Sequence, residues 1–248
     1  MKYDWVFFDY GGTLTVYADA DAAPVIPDEL EGQVLRDWFD LTGRDVTATA
    51  THLSQIAEQA HQDIDGTVSE LDWHANEMYY RRWMRHIYKQ LEVPAPHTEH
   101  EMACAWHFVF WKCFERTGVQ ACGSVIETLE TLRQQGFGLG VFSNNNGYVE
   151  DTLLYNQTRG FFEIVLDSSH VGFKKPDPEV FRLIARKAKV TCDRIFYVGD
   201  NFDADIVGAT AVGMGAAWIG GDDRPLPRNA VRIGRFTELL DHLAGHDS

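Results

Sequence analysis

Val6-Phe7-Phe8-Asp9-Tyr10-Gly11-Gly12-Thr13-Leu14 decides the fold of this 248-residue chain. Three apolar residues run directly into a carboxylate and then into a Gly-Gly pair. A short apolar run bounded by turn residues reads as a buried strand that ends in a tight loop. The same pattern recurs downstream. Gly138-Leu139-Gly140-Val141-Phe142 ends at Ser143-Asn144, and Phe162-Glu163-Ile164-Val165-Leu166 ends at Asp167-Ser168. Arg194-Ile195-Phe196-Tyr197-Val198 ends at Gly199-Asp200, and Ala216-Ala217-Trp218-Ile219 runs into Gly220-Gly221. Helical patterns lie between them. Val125, Ile126, Leu129 and Leu132 share one face, with Ser124 as the N-cap and Gly136 as the stop; 148–156, 178–189 and 203–212 follow, the last closed by Gly213. This alternation predicts an α/β fold, a doubly wound parallel sheet with helices on both faces. Polar residues at the carboxyl ends of such strands face the ligand crevice, and Asp9, Ser143 and Asp200 stand at such ends.

Residues 16–119 break the alternation. Segments 28–41, 48–64, 71–91 and 99–116 are helical in pattern and are separated by Gly43, Gly66 and Pro94/Pro96. The stretch is too long for a loop. It is expected to form an all-helical cap domain inserted into a core of residues 1–15 and 120–248. With 45% hydrophobic and 24% charged residues the composition is globular. A formal net charge of −15 repels polyanions, so neither nucleic acid nor an anionic membrane is an expected partner, and a phosphate site needs local positive charge. The four cysteines form no CxxC pair, no apolar run approaches the roughly 20 residues of a membrane span, and the first residues lack the features of a secretory signal. The expectation is a cytoplasmic protein with free thiols, monomeric or homodimeric.

Four motifs stand in order: Asp9-Tyr10-Gly11-Gly12-Thr13-Leu14, Ser143-Asn144, Lys175-Pro176-Asp177-Pro178, and Gly199-Asp200 with Asp205 beyond. Together they resemble the haloacid dehalogenase superfamily of hydrolases, in its phosphatase branch with a helical cap after the first core strand. The resemblance covers the core, about 9–15 and 120–220, and the interval from Asn144 to Lys175 leaves no room for a second cap. It implies a Mg²⁺-dependent hydrolase of a small phosphorylated metabolite. Asp9 would attack phosphorus and carry the phosphoryl group as an aspartyl-phosphate, dividing one hard displacement into two. Its charge repels an incoming phosphate, so a hard cation with oxygen ligands must lie between them. By resemblance those ligands are Asp9, Asp200 and the backbone carbonyl of Gly11, with Asp205 holding metal-bound water or orienting its neighbours. Ser143, Asn144 and Gly12 would bind phosphoryl oxygens, and Lys175 would neutralise charge on the phosphate and on Asp9.

Gly11 departs from the family pattern. The usual phosphatase has a second Asp there, which protonates the leaving oxygen and then activates water. General acid–base catalysis of that kind contributes about 10²–10⁴-fold. Three readings follow: a phosphatase in which the substrate, metal-bound water or a cap residue takes over; a metal-independent 2-haloacid dehalogenase-like enzyme, against which Asp200 argues; or a weakened relative kept for binding or regulation. Tyr17, Asp19 and Asp21 are candidates for a substitute acid.

Plainer roles stand beside these. Ser143 at a helix start could be a cap, and Asp205 an acid favoured by the helix dipole. The aromatic residues of 71–116 recur on helix faces and are expected to pack as core. The Cys104–His107 and His97–His100 pairs lack a full metal-ligand set. Arg81, Arg82 and Arg85 form a basic cluster, read as a solvated face ahead of an anion site.

Overall fold

Trp5–Phe8 forms β1, the strand against which the sheet is assembled. The computed structural model describes residues 2–17, 29–64, 66, 71–116, 119–121 and 123–244. After β1 come β2 (Thr15–Tyr17), four helices α1 (Leu30–Leu41), α2 (Ala50–Asp63), α3 (Trp73–Gln90) and α4 (Glu99–Arg116), and then β3 (Val119–Ala121). The chain continues through α5 (Gly123–Gln134), β4 (Gly138–Ser143), α6 (Val149–Tyr155), β5 (Ile164–Asp167), α7 (Ser168–Val171), α8 (Pro178–Ala188) and β6 (Ile195–Gly199). A π-helical turn at Phe202–Val207 runs into α9 (Gly208–Ala211), followed by β7 (Gly215–Ile219), β8 (Ala230–Ile233) and α10 (Glu238–Ala244).

The main sheet has the order β5-β4-β1-β6-β7-β8 and its paired strands are parallel. β2 and β3 pair separately. From β1 the chain builds outward one way through β4 and β5, and the other way through β6, β7 and β8. The ends of β1, β4 and β6 therefore adjoin at the point where the strand order reverses, which is where open α/β sheets bind ligands.

Both faces of the sheet are covered, which explains why its strands read as near-continuous apolar runs. Val6, Phe8, Leu139, Val141 and Val198 pack on one side with Leu129, Leu132, Leu153 and Leu239. Phe7, Phe142, Tyr197 and Ala216 pack on the other with Val180, Phe181, Ile184 and Ile206. Glycines in β4 make room for aromatic rings in β1. Gly138 lies opposite Trp5 and Gly140 opposite Phe7, and a Cβ on Gly140 would come 2.3 Å from the Phe7 ring.

By contact the chain divides into two compact units, Met1–Val16 with Glu70–Asp72 and Gln120–Ser248, and Tyr17–Ser69 with Trp73–Val119. In the second, α1 to α4 pack on an aromatic core. The Trp83 indole N–H donates to the Ala57 carbonyl at 2.9 Å, that of Trp38 donates to the Tyr88 hydroxyl at 2.7 Å, and His61 stacks on Tyr79 and Trp83. The rings are thus structural, as their spacing implied.

Four sequence expectations need correction. β8 was not expected: Val231-Arg232-Ile233 is a short edge strand after a proline-containing loop and carries a weak apolar signal. α5 begins at Gly123, so Ser124 lies inside its first turn and its carbonyl accepts from the Thr128 hydroxyl at 2.7 Å. The 203–212 helix opens as the wider π turn, capped by Asn201 accepting from the Ala204 N–H at 2.9 Å. β5 starts only at Ile164, because 159–161 make a 3₁₀ turn. Asp28, expected to begin a helix, lies outside the described residues.

Filling the gap at Gly140 should overpack the sheet. Gly140→Val is expected to lower the unfolding free energy by about 1–3 kcal/mol, read as a shift in the urea midpoint. Combined with Phe7→Ala, which alone should cost about 3–5 kcal/mol, the loss should fall short of the sum.

Candidate active site

Asp9 follows β1 directly, and its N–H continues the ladder by donating to the Val198 carbonyl at 2.9 Å. The carboxylate is thereby fixed at the sheet's carboxyl edge. The loop beyond closes on itself: the N–H groups of Leu14 and Thr15 donate to the Tyr10 carbonyl at 2.9 and 3.3 Å. Gly12 adopts φ +74°, and a Cβ there would lie 2.3 Å from Asp200 Oδ2, so only glycine lets the loop sit under Asp200. Gly11 differs. It has no positive φ, and a Cβ there would meet nothing within 4 Å.

Lys175 is the electrostatic centre. Its Nζ lies 2.7 Å from Asp9 Oδ1 and 2.6 Å from Asp205 Oδ1, with its side chain 2% exposed. Burial alone would depress the ammonium's pKa, but the Asp9 and Asp205 carboxylates outweigh it and hold the group above its usual range. The Lys175 loop is fastened to β4 by a reciprocal pair: the Asn144 amide donates to the Lys175 carbonyl at 3.0 Å and accepts from the Lys175 N–H at 2.8 Å. Asp205 is fully buried. Burial raises its carboxyl to about 6, against the opposing pull of Lys175. Its Oδ2 accepts from the Asn201 N–H at 3.0 Å, so both oxygens already have protein donors. Gly199 provides the space, since a Cβ there would be 2.3 Å from the Asp205 carboxyl carbon.

Asp9, Gly11, Ser143, Asn144, Lys175, Asp200 and Asp205 line one cavity of about 330 Å³. The sequence singled out all of these. Gly12 is not among the lining residues; it supports Asp200 from beneath. Asn145 and Asn201 also line the cavity and were not singled out. Nor was Asp167, which braces the loop after β4 by accepting from the Gly147 N–H at 3.0 Å and from the Ser169 N–H at 3.0 Å. Its position at the end of β5, level with Ser143 in the register, was the available clue. Trp218 fixes the Asp200 backbone by donating to its carbonyl at 2.7 Å.

Carboxylate oxygens of Asp9, Asp200 and Asp205 lie within 4.8 Å of one another. Three acids face a single ammonium, so the site is not locally positive as a phosphate site requires. Packing around its carboxyl and then the Asp9 charge raise the pKa of Asp200, and no cationic side chain pairs with it among the described residues. A hard divalent cation held by oxygen suits this donor set.

Elsewhere, Arg81 pairs with Glu77 and Glu99, and Arg85 pairs with Glu99, so both are engaged within the helical unit. The Cys104 thiol lies 3.8 Å from His100. Asp19 and Asp21, and the side chain of Tyr17, lie outside the described residues. No described helix is long and apolar enough to cross a membrane.

A family model described as haloacid dehalogenase-like hydrolase matches residues 3–213. Haloacid dehalogenase-like hydrolase domain-containing protein 3 of Mus musculus is 38% identical over 119 residues, 47% of each chain. Glyceraldehyde 3-phosphate phosphatase of Methanopyrus kandleri is 37% identical over 125 residues, 47% of this chain and 54% of that one. The chain thus spans about half the length of the curated relatives it matches. The crystal structure of 2-haloacid dehalogenase from Pseudomonas syringae pv. Tomato superposes with a TM-score of 0.66 at 25% identity, covering 98% of this chain and 99% of that one.

The Lys175 cluster sets a stability test. Asp205→Asn keeps the side chain's shape and removes one counter-charge, with Asp9 still paired to the ammonium. A loss of about 2 kcal/mol is expected, below the roughly 3–5 kcal/mol of a buried charge left alone. Adding Asp9→Asn strands the ammonium, and denaturant titration should show a loss exceeding the sum of the singles.

Proposed function

This chain belongs to the haloacid dehalogenase-like hydrolases, and we propose that within that family it is a Mg²⁺-dependent phosphatase of a small phosphorylated metabolite, with Asp9 as nucleophile. The observation that carries this reading is the excess of carboxylate over cationic charge around Asp9. A haloacid nucleophile needs no second acid beside it, whereas Asp200 next to Asp9 calls for a cation. The name of the Methanopyrus relative supports a phosphorylated substrate. Asp9, Asp200 and the Gly11 carbonyl would hold the ion; Asp205, engaged by Lys175 and Asn201, would hold Lys175 in place. When bound, the ion would offset phosphate charge and polarise a phosphoryl oxygen.

The chain's own groups then do the following. Asp9 presents Oδ2 to phosphorus, because Oδ1 is taken by Lys175. Lys175 offsets the negative charge that gathers on phosphoryl oxygens, and its burial makes that interaction stronger than in water. Ser143 at the end of β4 lines the cavity and supplies a hydroxyl to another phosphoryl oxygen. Asn144 acts mainly by positioning Lys175. Residues 16–119 are proposed as the cap, which would exclude water and select substrate.

A dehalogenase is the second reading, favoured by the near-complete superposition on the Pseudomonas enzyme and by the missing acid at Gly11. One assay separates them. Phosphate release from a panel of phosphate monoesters should require Mg²⁺ and stop with EDTA. Asp9→Asn should abolish it by about 10³-fold or more, and Lys175→Met should lower it by about 10²–10³-fold. Halide release from 2-chloropropionate without metal, and no phosphate release, would replace this reading with the second.

A further inference from the structure

Gly11 is the starting point, and the inference rests on the phosphatase reading above. Most small residues around this cavity are sterically required: a Cβ on Gly12 would strike Asp200 and one on Gly199 would strike Asp205. Gly11 lines the cavity, yet nothing lies within 4 Å of where its Cβ would be. Among the described residues nothing blocks a Cβ at that position, and no side chain is there.

Among the described lining residues, no other side chain is free to protonate a leaving oxygen: on the reading above Asp200 is assigned to the ion and Ser143 to a phosphoryl oxygen. Lys175 is bound to both Asp9 and Asp205, and an ammonium held by two carboxylates gives up its proton poorly. Both oxygens of Asp205 are engaged. The Tyr10 hydroxyl is turned to α6, where it accepts from the Asn156 amide at 2.8 Å. Asn145 accepts from the Asn146 N–H, and Asn201 caps the π turn. The described lining residues thus serve the phosphoryl group, and none of them serves the departing oxygen.

We propose that the site acts on phosphate compounds whose leaving group departs as a stabilised anion, such as aryl, enol and acyl phosphates, in preference to alkyl monoesters. An Asp9 oxygen bonds to phosphorus while the P–O bond to the leaving group breaks. The electron pair goes to that oxygen, which leaves as phenolate, enolate or carboxylate without a proton. Water then adds to phosphorus, the P–O bond to Asp9 breaks with its pair returned to the carboxylate, and both protons of the water leave on the dihydrogen phosphate.

The test compares kcat/KM for 4-nitrophenyl, phenyl and benzyl phosphate with Mg²⁺, after subtracting the Asp9→Asn rate. The wild type should fall about 10²–10⁴-fold from the 4-nitrophenyl to the benzyl ester, the rate that a general acid would otherwise supply. Gly11→Asp should recover most of that gap, narrowing the ratio. Wild-type rates within about tenfold across the series would overturn the inference, and would mean that a cap residue supplies the proton. A gap that persists in folded Gly11→Asp would overturn its assignment to Gly11. If that variant does not fold, the wild-type series alone decides. Release from none of the three esters would overturn the phosphatase reading and this inference with it.

Discussion

A buried ammonium between two carboxylates is the constraint on which the rest of the site depends. Lys175 cannot stay charged at 2% exposure without Asp9 and Asp205, and neither acid could stay ionised so close to the other without Lys175. Every neighbouring feature serves to bring these three together. Gly199 leaves room for Asp205, the π turn and Asn201 hold its second oxygen, and Asn144 fastens the loop that delivers Lys175. Tyr197, buried beneath, donates to the Phe142 carbonyl at 3.0 Å and closes the floor between β4 and β6. Such a cluster contributes little net stability. It sets geometry, since each member has one low-energy position.

The sheet makes this arrangement possible. Because β1 lies between β4 and β6, a residue just past each strand falls on a common rim. Asp9 follows β1, Ser143 ends β4 and Asp200 follows β6; Asp9 is more than a hundred residues from either of the others in the chain, yet the pairing of β1 with β4 and β6 brings all three strand ends together. The glycines of β4 leave room for the aromatic rings of β1, the strand that Asp9 follows directly.

Much of this was readable from the chain. Apolar runs ending in Asp9, Ser143 and Gly199-Asp200 located the strands and the rim, because parallel strands covered on both faces leave an uninterrupted hydrophobic pattern. Roles that depend on three-dimensional partners were not readable. Asn144, read as a phosphate ligand, also fastens the Lys175 backbone through its amide. Gly12, read as part of a phosphate cradle, also lies so close to Asp200 that a Cβ there would strike it. Asp167 looked like a strand terminus and is a loop brace. In each case the residue type was right for a polar task, and only the fold determined which partner lay within 3 Å or so. β8 escaped because an edge strand of four residues gives too short a periodic signal.

Gly11 separates two properties that the family usually joins, nucleophilic attack and proton transfer. On the proposed reading the first belongs to Asp9 and the second is left to the substrate. Acid quenching during turnover of 4-nitrophenyl phosphate, followed by peptide mass mapping, tests this most directly. The account predicts one phosphoryl group on the peptide containing Asp9, formed within the first turnover and absent from Asp9→Asn. Phosphate released by the wild type with no adduct at Asp9, and at the same rate by Asp9→Asn, would contradict it.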